Sequence, residues 1–137
     1  MPAVRQPGFA FNRTRQAYLA TQLRLAATHW SRMLGLIGSK AENFPAGSGL
    51  WIVPSHGVHT MAMRFPIDVI YLNKDRVVVY AKTNVRPWRV SPVNLQAASV
   101  LELPGNTLAG TGTSVGDRIE ITFDGSAPSA SQEARPA

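Results

Sequence analysis

The sequence predicts a single, mainly β domain, and three observations carry that reading. Val69-Ile70-Tyr71-Leu72 and Arg76-Val77-Val78-Val79-Tyr80 are β-branched and aromatic runs on either side of the polar turn Asn73-Lys74-Asp75, the composition of a hairpin. Further short runs recur before and after it: Gly49 to Val53, Ser99 to Leu103 and Arg118 to Phe123. The chain has 137 residues and no cysteine, so one hydrophobic core must form without disulfide staples. The same count removes thiolate metal ligands and cysteine nucleophiles.

Taken in order, residues 1–16 are rich in Arg, Gln, Pro and Gly around Phe9 and Phe11, and read as a basic, poorly ordered N-terminal arm. From Tyr18 two readings compete. Leu19, Leu23, Ala26, Trp30, Met33, Leu34 and Ile37 fall at helical spacing, which allows one amphipathic helix over about residues 15–37. Against it, Thr21 to Ala26 alternates polar and apolar, and Thr28 suits the N-cap of a shorter helix that stops at Gly38. A strand followed by a short helix is the expectation. Residues 39–48 form a loop by composition, and Pro54 closes the next strand because it cannot donate to a sheet ladder.

The strand Val69 to Leu72 is apolar at every position, which predicts burial on both faces and a place inside the sheet. Residues 84–97, with Pro87 and Pro92, form a long connection. Residues 107–114 are small and glycine-rich, and Arg118 to Phe123 alternates cleanly, leaving one face wet. These elements make residues 17–123 one β domain. Residues 124–137, rich in Ser, Ala and Pro without a large apolar side chain, are expected to be a disordered tail.

The formal net charge is +6, and its distribution says more than its sum. Residues 1–40 carry Arg5, Arg13, Arg15, Arg24, Arg32 and Lys40 with no acid, whereas the remainder holds eight basic and eight acidic residues. A basic arm permits weak nucleic-acid binding, but no zinc-finger, RNA-recognition or repeat pattern supports it. No apolar run reaches membrane-spanning length and none resembles a signal peptide, so a cytoplasmic protein is expected.

The stretch Ser55 to Asp68 concentrates the groups with chemistry: His56, His59, Thr60, Arg64 and Asp68. His56 and His59 have metal-ligand spacing on a helix, but Pro54 and Gly57 argue against one. In a strand they point to opposite faces roughly 10 Å apart along the chain. With no obvious third ligand nearby, no metal and no cofactor is assigned. Period two places His59, Met61, Met63 and Phe65 on one row and Thr60, Arg64 and Asp68 on the other. His59 is then a hydrogen-bonded core histidine or a ligand contact.

Arg64 offers a planar fork of donors to a carboxylate or phosphate, with Lys82, Arg86 and Arg89 on elements that can approach the same end. That makes a small polar or anionic ligand near Arg64 the leading functional expectation, oriented by Asp68 and covered by Trp88. The bland reading makes Asp68 an acceptor of backbone hydrogen bonds at the strand entry, Arg64 a surface charge and Trp88 a packing lid. Ser55, His56 and Asp68 compose a triad on paper but lack a nucleophile elbow, and Asp68, Asp75, Glu102, Asp117 and Glu120 fall at strand ends or solvent faces, so no catalysis is assigned. A protein-protein interaction module is the alternative to a ligand-binding domain.

Gly49-Leu50-Trp51-Ile52, Val58 to Leu72, Val100-Leu101-Glu102-Leu103-Pro104 and Val115-Gly116-Asp117, preceded by Arg32-Met33-Leu34-Gly35-Leu36, together resemble the DUF192 family of small prokaryotic proteins of unknown function. The resemblance spans about residues 19–123. It implies a compact, mainly antiparallel β sandwich or barrel with one or two short helices, and it supplies no activity. Gly105-Asn106 stands where alanine-glycine is common in that family.

Overall fold

The computed structural model describes residues 8–26, 44–57, 65–86 and 92–123. Within them, seven strands and one helix follow the chain: β1 Gly8–Asn12, β2 Ala17–Ala26, β3 Ser48–Ile52, β4 Ile67–Leu72, β5 Val78–Val85, β6 Ser99–Pro104, α1 Thr107–Thr111 and β7 Ile119–Thr122. All seven strands join one sheet in the order β5-β4-β6-β3-β2-β1-β7. Every neighbouring pair is antiparallel except β2 with β3.

The sheet curls until its two edge strands touch. Val77 bridges Arg118, the Val78 N–H donates to the Asp117 carbonyl at 2.8 Å, and the Ile119 N–H donates to the Arg76 carbonyl at 2.9 Å. Contact is confined to this seam, so the architecture is a half-barrel. Strand alternation then separates two cores. Ala10, Leu19, Leu23, Trp51, Ile70, Leu72, Leu101 and Leu103 fill the concave side, with Leu108 of α1 plugging it. Leu50, Ile52, Val69, Tyr71 and Val100 form the outer layer, under Phe44, Phe65 and Ala97 from the loops. Gly49 is fixed by the concave side, since a Cβ there would lie 2.8 Å from the Ala20 Cβ and 2.9 Å from a Leu23 methyl.

The hairpin forms as expected, with β5 starting at Val78 and running on to Val85. Strand β4 is buried at all six positions and lies between β5 and β6. The alternating stretch through Ala26 is a strand; the short helix expected after Thr28 and the tail 124–137 lie outside the described residues.

Three expectations are corrected. Residues 8–12 are not an arm: β1 is buried at all five positions between β2 and β7, with Phe9 and Phe11 packed edge-on against Tyr18. No polar residue interrupts Phe-Ala-Phe to mark a wet face, because the strand has none. Residues 107–111 form a helix, which composition did not show. Glu102 is neither terminal nor wet; it is 1 % exposed in the middle of β6, opposite Leu50 and Val69.

Candidate ligand cleft at His56

Three loops that are distant in sequence meet beside the end of β4. The first is the turn after β3, residues 53–57; the second is the β4–β5 turn, residues 73–77; the third is the approach to β6, residues 94–98. Each is tied to another. The Ser55 N–H donates to the Ala98 carbonyl at 3.0 Å, the Asn94 N–H to the His56 carbonyl at 2.9 Å, and the Ala98 N–H to the Leu72 carbonyl at 2.8 Å. Inside the β4–β5 turn, Asn73 Oδ1 accepts the N–H groups of Asp75 and Val77, as an asparagine in a turn does. The bracing fixes the shape of the surface between the loops.

That surface is a cleft of about 630 Å³, lined by Pro54, His56, Asn73, Lys74, Asp75, Leu95 and residues 96–98. The volume lies within the roughly 300–1,000 Å³ usual for ligand sites. His56 Nδ1 is 2.6 Å from the Ala97 carbonyl oxygen. A carbonyl only accepts, so Nδ1 carries the hydrogen and the neutral ring presents Nε2 as an acceptor. Among the described residues Nε2 has no partner. Lys74, exposed on the same cleft, adds a compact positive charge with three rotatable donors. The cleft thus offers an acceptor with a fixed tautomer, a cation and the Asp75 carboxylate on one turn, and an apolar side at Leu95.

Asp68 does different work. Its side chain is fully buried, and Oδ1 accepts the N–H groups of Asn84 at 2.8 Å and Asn106 at 3.3 Å, while Oδ2 accepts that of Leu108 at 2.8 Å. Asn106, at the start of α1, makes no side-chain cap, so Asp68 caps the helix from another strand. Asn106 has φ 72°, a left-handed conformation that glycine adopts freely and asparagine tolerates. The backbone-acceptor reading of Asp68 matches this geometry.

His56 and Asp68 are not brought together. Asp68 is the second residue of β4 and the cleft lies beyond Leu72, roughly 13 Å along the strand at ~3.3 Å per residue. Ser55 Oγ is also occupied, donating to the Gly57 carbonyl at 2.8 Å, so the paper triad has no geometry behind it. His59, Thr60, Arg64 and Trp88 lie outside the described residues. Lys74 and Gln96 were missed because a turn composition announces a turn and nothing about what its side chains line. Two arginines of the basic N-terminal part are engaged: Arg13 with Glu120 at 3.3 Å and Arg15 with Asp117 at 3.0 Å.

Comparisons with known proteins show the family and the fold and add no activity. A UPF0127 protein of Pyrococcus furiosus is 31% identical over 114 residues, covering 80% of this chain and 94% of that protein. A UPF0127 protein of Thermococcus sibiricus is 28% identical over 114 residues, covering 80% and 71%. The crystal structure of a protein of unknown function from Novosphingobium aromaticivorans has the same fold, with a TM-score of 0.70, 21% identity and 83% of each chain covered. The DUF192 family model, described as uncharacterised, matches residues 10–121, most of the half-barrel from β1 to β7, and the chain belongs to that family.

Proposed function

We propose that this domain binds a small polar or anionic ligand, using His56 and Lys74 on the described cleft. The observation that carries the reading is the cleft itself: three loops held by hydrogen bonds around an acceptor nitrogen and a cation. Preorganised polar groups of this kind cost little to order when a ligand arrives. A molecule with a hydrogen-bond donor for Nε2 and an acidic group for Lys74 fits the pair.

The test is a thermal-shift screen of the full chain against inorganic phosphate, citrate and small hydroxy acids at constant ionic strength. A ligand at a hundred times its Kd adds about 2.7 kcal/mol, which a melting curve detects readily. We expect at least one probe to raise Tm, and His56→Ala and Lys74→Ala to reduce that rise while melting like the parent without ligand. If no probe stabilises the parent, or both variants respond as it does, the reading is wrong. Arg64→Ala, measured alongside, decides whether Arg64 shares in binding.

A further inference from the structure

The turn that walls the cleft sends its next side chain to the concave side of the half-barrel. Arg76 has φ 63°, uncommon for a residue with a Cβ, and its backbone is committed on both sides. Its N–H donates to the Asn73 carbonyl at 3.0 Å, and its carbonyl accepts the Ile119 N–H across the seam at 2.9 Å. The side chain places its guanidinium carbon 4.4 Å from the centre of the Trp51 ring. Phe123 stacks on the same indole, with ring centroids 6.0 Å apart and planes 20° off parallel.

Packing leaves two groups of this stack unanswered. Arg76 has no carboxylate partner among the described residues, although burial withdraws water from the guanidinium and draws its pKa below the ordinary value. The aromatic face attracts the cation but accepts none of its five N–H donors along their own directions. Trp51 is 8 % exposed, and its indole Nε1 is buried without an acceptor. Buried donors in folded proteins are nearly always paired. A charge and a donor that both lack an acceptor, on two side chains stacked together, share one remedy.

We propose that Arg76 and Trp51 form a binding site for a small oxyanion, a carboxylate or phosphate group, at the seam of the half-barrel and separate from the His56 cleft. The guanidinium fork matches two oxygens of either group, and a lysine in its place supplies charge without the fork. The left-handed backbone at Arg76 is then a cost retained for aiming the side chain.

Trp51 is its own reporter. With Trp30→Phe and Trp88→Phe it becomes the sole indole of the chain. Its emission is followed while inorganic phosphate, and separately acetate, replaces chloride at constant ionic strength. A saturable change with at least one anion is expected, and which one responds identifies the oxyanion. Arg76→Lys should weaken the response about tenfold, as loss of one charge-assisted hydrogen bond implies, and Arg76→Gln should remove it. His56→Ala should leave it unchanged. The otherwise unsubstituted chain gives a second readout: the same anion should raise the Tm of the His56→Ala protein but not of the His56→Ala/Arg76→Gln double variant. No saturable change with either anion, or equal responses with arginine and glutamine at position 76, overturns the site.

Discussion

Asp117 shows how a single side chain can hold two distant parts of this fold. It is 3 % exposed, and Oδ2 accepts hydrogen bonds from Asn12 Nδ2 at 2.9 Å, Arg15 Nε at 3.0 Å and the Ser114 N–H at 3.1 Å. Burial by itself raises its carboxyl pKa, but the bonds from Asn12, Arg15 and Ser114 and the Arg15 charge outweigh it and leave the pKa below the ordinary range. A carboxyl with a depressed folded-state pKa stabilises the fold above its unfolded value of about 3.9, and that contribution disappears as pH falls through the folded value. Asp117→Asn should therefore lower the urea midpoint at pH 7, and lose less further stability than the parent between about pH 4 and pH 2. Equal pH slopes for the two proteins would show that the carboxylate is not stabilised this way. The sequence displayed Val115-Gly116-Asp117 as a recognisable block but not its task, because Asn12 lies 105 residues earlier. His56 was visible for a similar local reason, and its bond to Ala97 was not.

Between elements, the governing contact is Asp68. One carboxylate holds an amide of β5, one of the turn after β6 and one of α1, so three pieces of chain converge on the start of β4. Asn84 and Asn106, both with positive φ, join side chains at 3.0 Å above it, and Gly105 leaves the space that the Asn84 side chain fills. Asp68→Ala strands three donors; with each buried unsatisfied group costing about 1–3 kcal/mol, a loss of about 3 kcal/mol is expected from urea titration. Hydrogen exchange at the Leu108 amide should rise before that of β6. A variant as stable as the parent would refute this account of the corner. The strands of the hairpin, β6 and β7 were legible because period-two patterning survives where one face differs from the other, or where a polar turn interrupts two apolar runs. Helix α1 was not legible, since five residues with one large apolar side chain, Leu108, show no helical periodicity and their cap sits 40 residues away.

At the scale of the molecule, β1 and β7 decide the topology. They are neighbours in space and lie near opposite ends of the described chain, so the curled sheet forms only when the whole chain is assembled. A mainly antiparallel fold was legible from composition and family resemblance; the seam at Val77 and Arg118 was not, because two short contacts far apart in sequence leave no periodic trace. The open edges are guarded in familiar ways. β5 is broken by register shifts and carries exposed Lys82, and β7 is four residues long.

The contact between the first and last described residues has a further use. Gly8 sits so close to Phe123 that a Cβ on it would lie 2.5 Å from the ring, so the start of the first strand lies beside the end of the last. Joining Ala137 to Met1 and cutting between Lys74 and Asp75 gives a circular permutant with every residue kept and one turn opened. Its far-UV circular dichroism and cooperative melting should survive, since Gly8 and Phe123 are already neighbours and the joined segments have only to link them. Anion responses at His56 and at Arg76 should both fall, because the turn that shapes one site and aims the other is severed. A permutant that melts without cooperativity would instead make that turn indispensable to the architecture.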